Sequence, residues 1–83
     1  MHHRLKIERM YYDAIISGKK TFEIRVNDRD YQSGDTIEMW ATGFPFPPIL
    51  ATIGWVSNYK QTQNHVVFSL LNITQGDLDD YHF

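Results

Sequence analysis

Gly18-Lys19-Lys20-Thr21-Phe22-Glu23-Ile24-Arg25, followed by Val26-Asn27-Asp28-Arg29, puts charged and core-type side chains on one short stretch. From residue 21 to 26 the two kinds alternate, which is the period of a strand with one face buried. The alternation predicts that Phe22, Ile24 and Val26 point inward and that Thr21, Glu23, Arg25 and Asn27 point outward. A segment of this kind is anchored by one face and presents the other, so it is the leading candidate for a working surface.

Upstream, residues 4–8 (Arg-Leu-Lys-Ile-Glu) alternate as well and read as a half-buried strand, with Leu5 and Ile7 inside. Residues 9–17 follow a helical spacing. Tyr11, Ala14 and Ile15 share a face, and Tyr12 with Ile16 widens it. Gly18 suits the left-handed position that ends a helix. Downstream, residues 30–35 form a turn. Residues 36–42 make a third strand with Ile37, Met39 and Ala41 on one face and Glu38 and Trp40 on the other. Three prolines keep residues 43–48 out of a central strand. Residues 49–56 and 65–73 are two more strands, joined by a polar loop.

The expected fold is α+β and mostly β, with about five strands and one short helix after the first. One helix cannot cover both faces of a flat five-stranded sheet, and an open sheet leaves its edges bare. Curling into a small barrel with the helix at one end answers both problems. Residues 1–74 make a single domain, and residues 75–83 an acidic tail.

The bulk composition sets limits on function. The chain has 83 residues, of which 42% are hydrophobic and 14% aromatic, enough for one core. It has no cysteine, which removes disulfides and thiolate metal sites. No apolar run approaches the roughly 20 residues that span a bilayer, and no signal-peptide pattern opens the chain. A cytoplasmic protein without membrane contact is the expectation. The net charge of −2 hides an asymmetry: residues 1–29 hold seven of the eight Lys and Arg. The remaining chain is acidic. This balance argues against general coating of DNA and leaves room for a local anion or nucleic-acid site in the N-terminal third.

Each candidate residue has two readings. Lys19 and Lys20 either complement the dipole of the helix they follow or reach into a cleft beside the strand. Glu23 and Arg25 are a surface ion pair or a donor–acceptor set for a planar polar ligand. Asn27 and Arg29 extend that polar row, unless Asn27-Asp28 simply makes the turn. Trp40, Trp55, Tyr31 and Tyr59 are packing residues or platforms for base stacking. Residues 44–48 (Phe-Pro-Phe-Pro-Pro) are a lid over the barrel end or a patch for self-association through Phe44 and Phe46. The four histidines lack metal-ligand spacing, so no metal and no cofactor is expected. A phosphate loop, a nucleophile elbow and a paired-carboxylate site are likewise missing from the sequence.

The spacing Gly18-x-Lys20-x-x-Glu23-x-Arg25 resembles the signature of the ASCH domain, a member of the PUA-like superfamily. His3-x-Leu5-Lys6 before it, and Asn27-Asp28-Arg29-Asp30 with Gly34-Asp35 after it, resemble a short bacterial and phage branch of unassigned function. The likeness spans residues 3–39. It implies a PUA-like β-barrel with a cleft lined by Lys20, Glu23 and Arg25, with Arg29 and His3 as weaker additions. It also implies binding of RNA or a nucleotide-like ligand. A related branch deacylates N4-acetylcytidine with the motif lysine, a threonine three residues later and a late glutamate. That makes an amidohydrolase acting on an N4-acylated cytidine the alternative, with Lys20 as the catalytic residue and Glu23 as its base. Here Glu23 stands where threonine is expected, and no glutamate follows Glu38.

Overall fold

The alternating segments become five strands of one sheet, and the helical spacing becomes a single short helix. The computed structural model describes residues 1–43 and 46–77. In chain order the elements are β1 (His2–Ile7), α1 (Arg9–Ile16), β2 (Phe22–Val26), β3 (Thr36–Ala41), β4 (Ile49–Ser57) and β5 (His65–Gln75). The sheet order is β1-β3-β4-β5-β2. β1 runs parallel to β3, and every other pair is antiparallel. The sheet curls into a half-barrel. β1 and β2, neighbours in sequence, are its two edges.

The inner face carries the core. Leu5 and Ile7 of β1, Ile37 and Met39 of β3, Ile49 and Ile53 of β4, and Phe68 and Leu70 of β5 are buried there. Each set falls on one parity of its strand, as alternation requires. Fully burying an aliphatic or Phe side chain contributes about 1.5–3 kcal/mol, so this layer supplies most of the stability of so small a domain.

Helix α1 packs on β3 and β5. Its buried residues are Tyr12 and Ile15, whereas Tyr11 and Ile16 are about half exposed. The apolar stripe is therefore narrower than the sequence suggested and is rotated towards Tyr12. A hydrogen bond fixes that rotation: the Tyr12 hydroxyl donates to the Pro47 carbonyl at 2.6 Å and accepts from Gln75 Nε2 at 2.8 Å. These partners sit where β4 begins and β5 ends, so the helix covers that end of the half-barrel. Phe46 belongs to the same contact, its ring 6.0 Å from Tyr12 with the Arg9 guanidinium 4.0 Å above it. Phe44 lies outside the described residues. Gln75 pairs with Ile49 as part of β5, so the strand runs past the end expected at residue 73. The acidic residues after position 77 lie outside the described residues.

β2 departs from expectation. Its pairing sets Glu23 opposite Phe68 and Arg25 opposite Val66. Directly opposed residues share a face, so Glu23 and Arg25 point to the interior with Phe68 and Val66. Phe22, Ile24 and Val26 point outward and remain 42, 50 and 48% exposed. The period is as read from the sequence, but the face is reversed. A one-residue change of register flips every side chain of a strand, and the alternation carries no sign of its own. The sign is set by what the interior offers at this edge, which is a set of partners for a carboxylate.

Candidate functional site

The path to the site starts at the end of α1. Ser17 is the C-cap, and Gly18 follows with φ +80°. The Lys19 amide donates to the Ala14 carbonyl at 2.9 Å and the Gly18 amide to Ile15 at 3.1 Å. This is the paired bonding of a Schellman motif, which needs a residue without a Cβ penalty at the left-handed position. The motif reverses the chain tightly, and the Lys20 amide also returns to Ala14. Lys20 precedes β2 and so does not obey its parity. The turn aims it inward beside Glu23.

Glu23 is the centre of the arrangement. Its side chain is buried, and its two oxygens take different partners. Oε1 accepts from Lys20 Nζ, and Oε2 accepts from Arg25 Nε at 3.1 Å. Burying a carboxylate is costly unless it is paired and hydrogen-bonded, and here both conditions hold. Arg25 is held at its other end as well, where Nη2 donates to the Lys6 carbonyl of β1 at 2.9 Å. Arg29 repeats the bridge, with Nη1 on the Arg4 carbonyl at 3.0 Å. The two edges of the half-barrel are thus joined across the seam by arginine side chains rather than by a strand ladder.

A cleft of about 690 Å³ opens along this seam. Lys20, Glu23, Arg25 and Arg29 line it, as do Lys6 and Tyr31. At its mouth the Lys20 ammonium lies 4.8 Å from the Tyr11 ring and 5.3 Å from the Phe22 ring. Both rings line the cleft, and both are partly exposed. A volume of this size accommodates a small ligand. The surface combines cationic donors, a paired carboxylate and aromatic faces.

Four of the five residues singled out by the sequence meet here. The fifth, His3, does not line the cleft. It is buried, and its Nε2 donates to Asp35 Oδ2 at 2.8 Å. That hydrogen bond is the largest cause holding the Asp35 carboxyl down to about 2, against burial, which pushes it up. The Met1 amine and the Gln32 amide also donate to Asp35. His3 does touch the back of the site, its ring 4.8 Å from that of Tyr31. Burial raises the Tyr31 phenol above its ordinary value, and the nearby Arg25 and Arg29 oppose the rise. His3 is a supporting residue for a cleft wall.

The four aromatic residues divide between their two readings, with Trp40 and Tyr31 as packing residues. Trp40 is buried on the other face of β3, with its indole N–H on Glu38 at 2.6 Å. Trp55 and Tyr59 are exposed and stand away from the cleft. Tyr31 lines the cleft but is packed against Phe68 at 5.0 Å. The accessible rings at the mouth are Tyr11 and Phe22, which spacing alone places in the core. Nothing in the spacing marks them: Phe22 reaches the mouth because β2 is turned over, and Tyr11 because α1 is rotated towards Tyr12. Among the described residues, no three His, Asp or Glu side chains gather as metal ligands, and no helix is long and apolar enough to cross a membrane.

Residues 2–70 match a domain of unknown function, DUF3850. The chain belongs to that family. The match takes in all five strands up to Leu70 and every cleft residue described above. The chain is also similar to an uncharacterized 12.9 kDa protein in the GpA 3′ region of Escherichia phage P2, being 40% identical over 43 residues. That alignment covers 49% of this chain and 39% of the phage protein, so the chain spans well under two thirds of that relative.

Proposed function

We propose that this DUF3850 chain is an RNA- or nucleic-acid-binding domain that takes a nucleobase or nucleotide into the seam cleft. The observation that carries the reading is Glu23, clamped between Lys20 and Arg25 in a cleft whose mouth is flanked by Tyr11 and Phe22. Each element has a matching part in a nucleotide. The rings offer stacking, worth about 1–3 kcal/mol per base where it operates. The arginine forks suit phosphate oxygens or a base edge. The Glu23 carboxylate retains lone pairs for an exocyclic amine. The resemblance of the Gly18–Arg25 spacing to the ASCH signature supports the same reading, since the PUA relatives of that domain bind RNA.

Hydrolysis of an N4-acylated cytidine is the competing reading. It uses the same cleft, with Lys20 activating the attack. The Lys20 Nζ serves as a donor to Glu23, an arrangement that suits a ligand clamp better than a nucleophile, which must present a lone pair. Incubating the protein with N4-acetylcytidine and separating the products by chromatography decides between the two, with no turnover expected.

Binding is tested by titrating short single-stranded RNAs at two salt concentrations. Few phosphates are reached, so log K should fall with log salt at a slope of only about −1 to −2. Lys20→Ala and Arg25→Ala should each weaken binding by about tenfold or more. Absence of binding at low salt, or binding unchanged in both variants, removes the proposal.

A further inference from the structure

A second cleft, of about 560 Å³, lies on the other side of Val26 and His65, and these two residues wall both clefts. The loop between β4 and β5 supplies most of its lining, with Asn58, Gln61, Gln63 and Asn64, and Asn27 closes it from the end of β2. Among the described residues, no Lys, Arg, Asp or Glu lines it. The two clefts thus adjoin but differ in kind, one cationic with aromatic walls and the other neutral and rich in amides.

The loop is built to hold its side chains outward. Its backbone groups are satisfied locally: Gln61 donates to Asn58 at 3.1 Å, His65 to Thr62 at 2.9 Å, and Asn27 to Asn64 at 2.7 Å. Lys60 and Asn64 adopt positive φ values of 56° and 64°, so the chain turns twice in a short space. The side-chain amides of Asn58, Gln63 and Asn64 make no hydrogen bond among the described residues. Between the clefts, the His65 Nδ1–H donates to the Gln63 carbonyl at 3.0 Å. That assignment follows from the carbonyl being an acceptor only, and it leaves Nε2 as the ring nitrogen for a ligand. Lys60, the one Lys or Arg after Arg29, stands on this same loop.

We infer that the two clefts are consecutive subsites for single-stranded nucleic acid. The charged cleft takes one nucleotide, and the amide cleft takes the base of its neighbour, with the strand crossing Val26 and His65. This rests on the function proposed above and extends it from one base to at least two. A neutral lining is wrong for a phosphate, which calls for cations. It is right for a base edge, because each amide offers both a donor and an acceptor. Unstacked bases of single strands are read in this way, through hydrogen bonds to their exposed edges.

The test compares nucleoside monophosphates with mixed-sequence trinucleotides, in ribo and deoxy forms, by calorimetry at low salt. The variants are Asn58→Ala combined with Asn64→Gly, and Gln63→Ala alone. Glycine preserves the left-handed backbone at position 64, and a thermal melt verifies that each variant is folded. At least one trinucleotide series should bind tenfold or more tighter than its monophosphates. The loop variants should lose at least fivefold of the trinucleotide affinity and leave monophosphate binding unchanged. Trinucleotides that bind no tighter than monophosphates, or loop variants without effect, overturn the second subsite while the charged cleft stands. If neither ligand binds the unaltered protein, both readings fail together.

Discussion

Strands β5 and β2 lie side by side and carry the same alternation of polar and apolar side chains, yet they use it in opposite senses. β5 turns Val66, Phe68 and Leu70 to the interior. β2 turns Glu23 and Arg25 there and leaves Phe22, Ile24 and Val26 half in solvent. The difference follows from position. β5 is flanked on both sides and faces a closed layer of side chains. β2 is an edge, and across the seam it faces a β1 edge whose Lys6 and Arg4 carbonyls receive Arg25 and Arg29. At that boundary a charged interior face is hydrogen-bonded to satisfaction, and no buried side-chain polar atom among the described residues lacks a partner. The half-barrel is held by apolar burial through its middle and by a polar clasp at its seam.

Substitutions on the two strands should separate these roles. The largest effect belongs to Phe68→Ala, which leaves a cavity in the core and should lower stability by about 3–5 kcal/mol in chemical denaturation. Its cross-strand neighbour gives a smaller loss of a different kind. Glu23→Ala strands Lys20 and Arg25 against each other and should cost about 3 kcal/mol. Adding Lys20→Ala to it should restore part of that loss, whereas no partner substitution should rescue Phe68→Ala. If Glu23→Ala is neutral, the clasp has no structural weight.

Acid provides a finer probe. Asp35 has its carboxyl lowered to about 2, first by the hydrogen bond from His3. A carboxyl depressed on folding adds stability above its unfolded value, near 3.8, and the contribution fades as pH falls from there towards 2. Glu38 has the same sign: burial pushes it up, but hydrogen bonds from His2 and Trp40 outweigh it and hold it down. Denaturation midpoints should therefore fall between about pH 4 and 2, and Asp35→Asn should flatten part of that slope. An unchanged slope in Asp35→Asn would remove His3–Asp35 as a support of the fold. The smallest effect is expected on the outer face of β2. Ile24→Thr should cost less than about 1 kcal/mol by the same denaturation assay, whereas Ile37→Thr in the core should cost several-fold more. Equal losses would return Ile24 to the interior.

Most of the strand and helix layout was legible because it depends on local spacing. The alternation in β1 and β3 also gave the correct face, with Leu5, Ile7, Ile37 and Met39 buried as expected. Gly18 was legible as a helix stop, and its left-handed turn is what brings Lys20 to Glu23. The orientation of β2 was not legible, because a period of two is symmetric under reversal and the deciding partners, the Lys6 and Arg4 carbonyls, belong to a distant edge. The same gap hid Phe22 at the cleft mouth, and the rotation of α1 towards Tyr12 hid Tyr11. The inward parity of His3, shared with Leu5 and Ile7, was legible; its partner Asp35, 32 residues away, was not.

In the proposed function, an inward-facing Glu23, held by Lys20 and Arg25, forms the floor of a nucleotide-binding cleft at the seam. Amide chemical-shift mapping of the isotope-labelled protein with a short single-stranded RNA at low salt tests it most directly. Shifts should concentrate at Lys6, Tyr11, Lys20 to Arg25, Arg29 and Tyr31, and should be lost in Arg25→Ala. Shifts confined to the outer faces of β3 and β4, or none at saturating RNA, would contradict it.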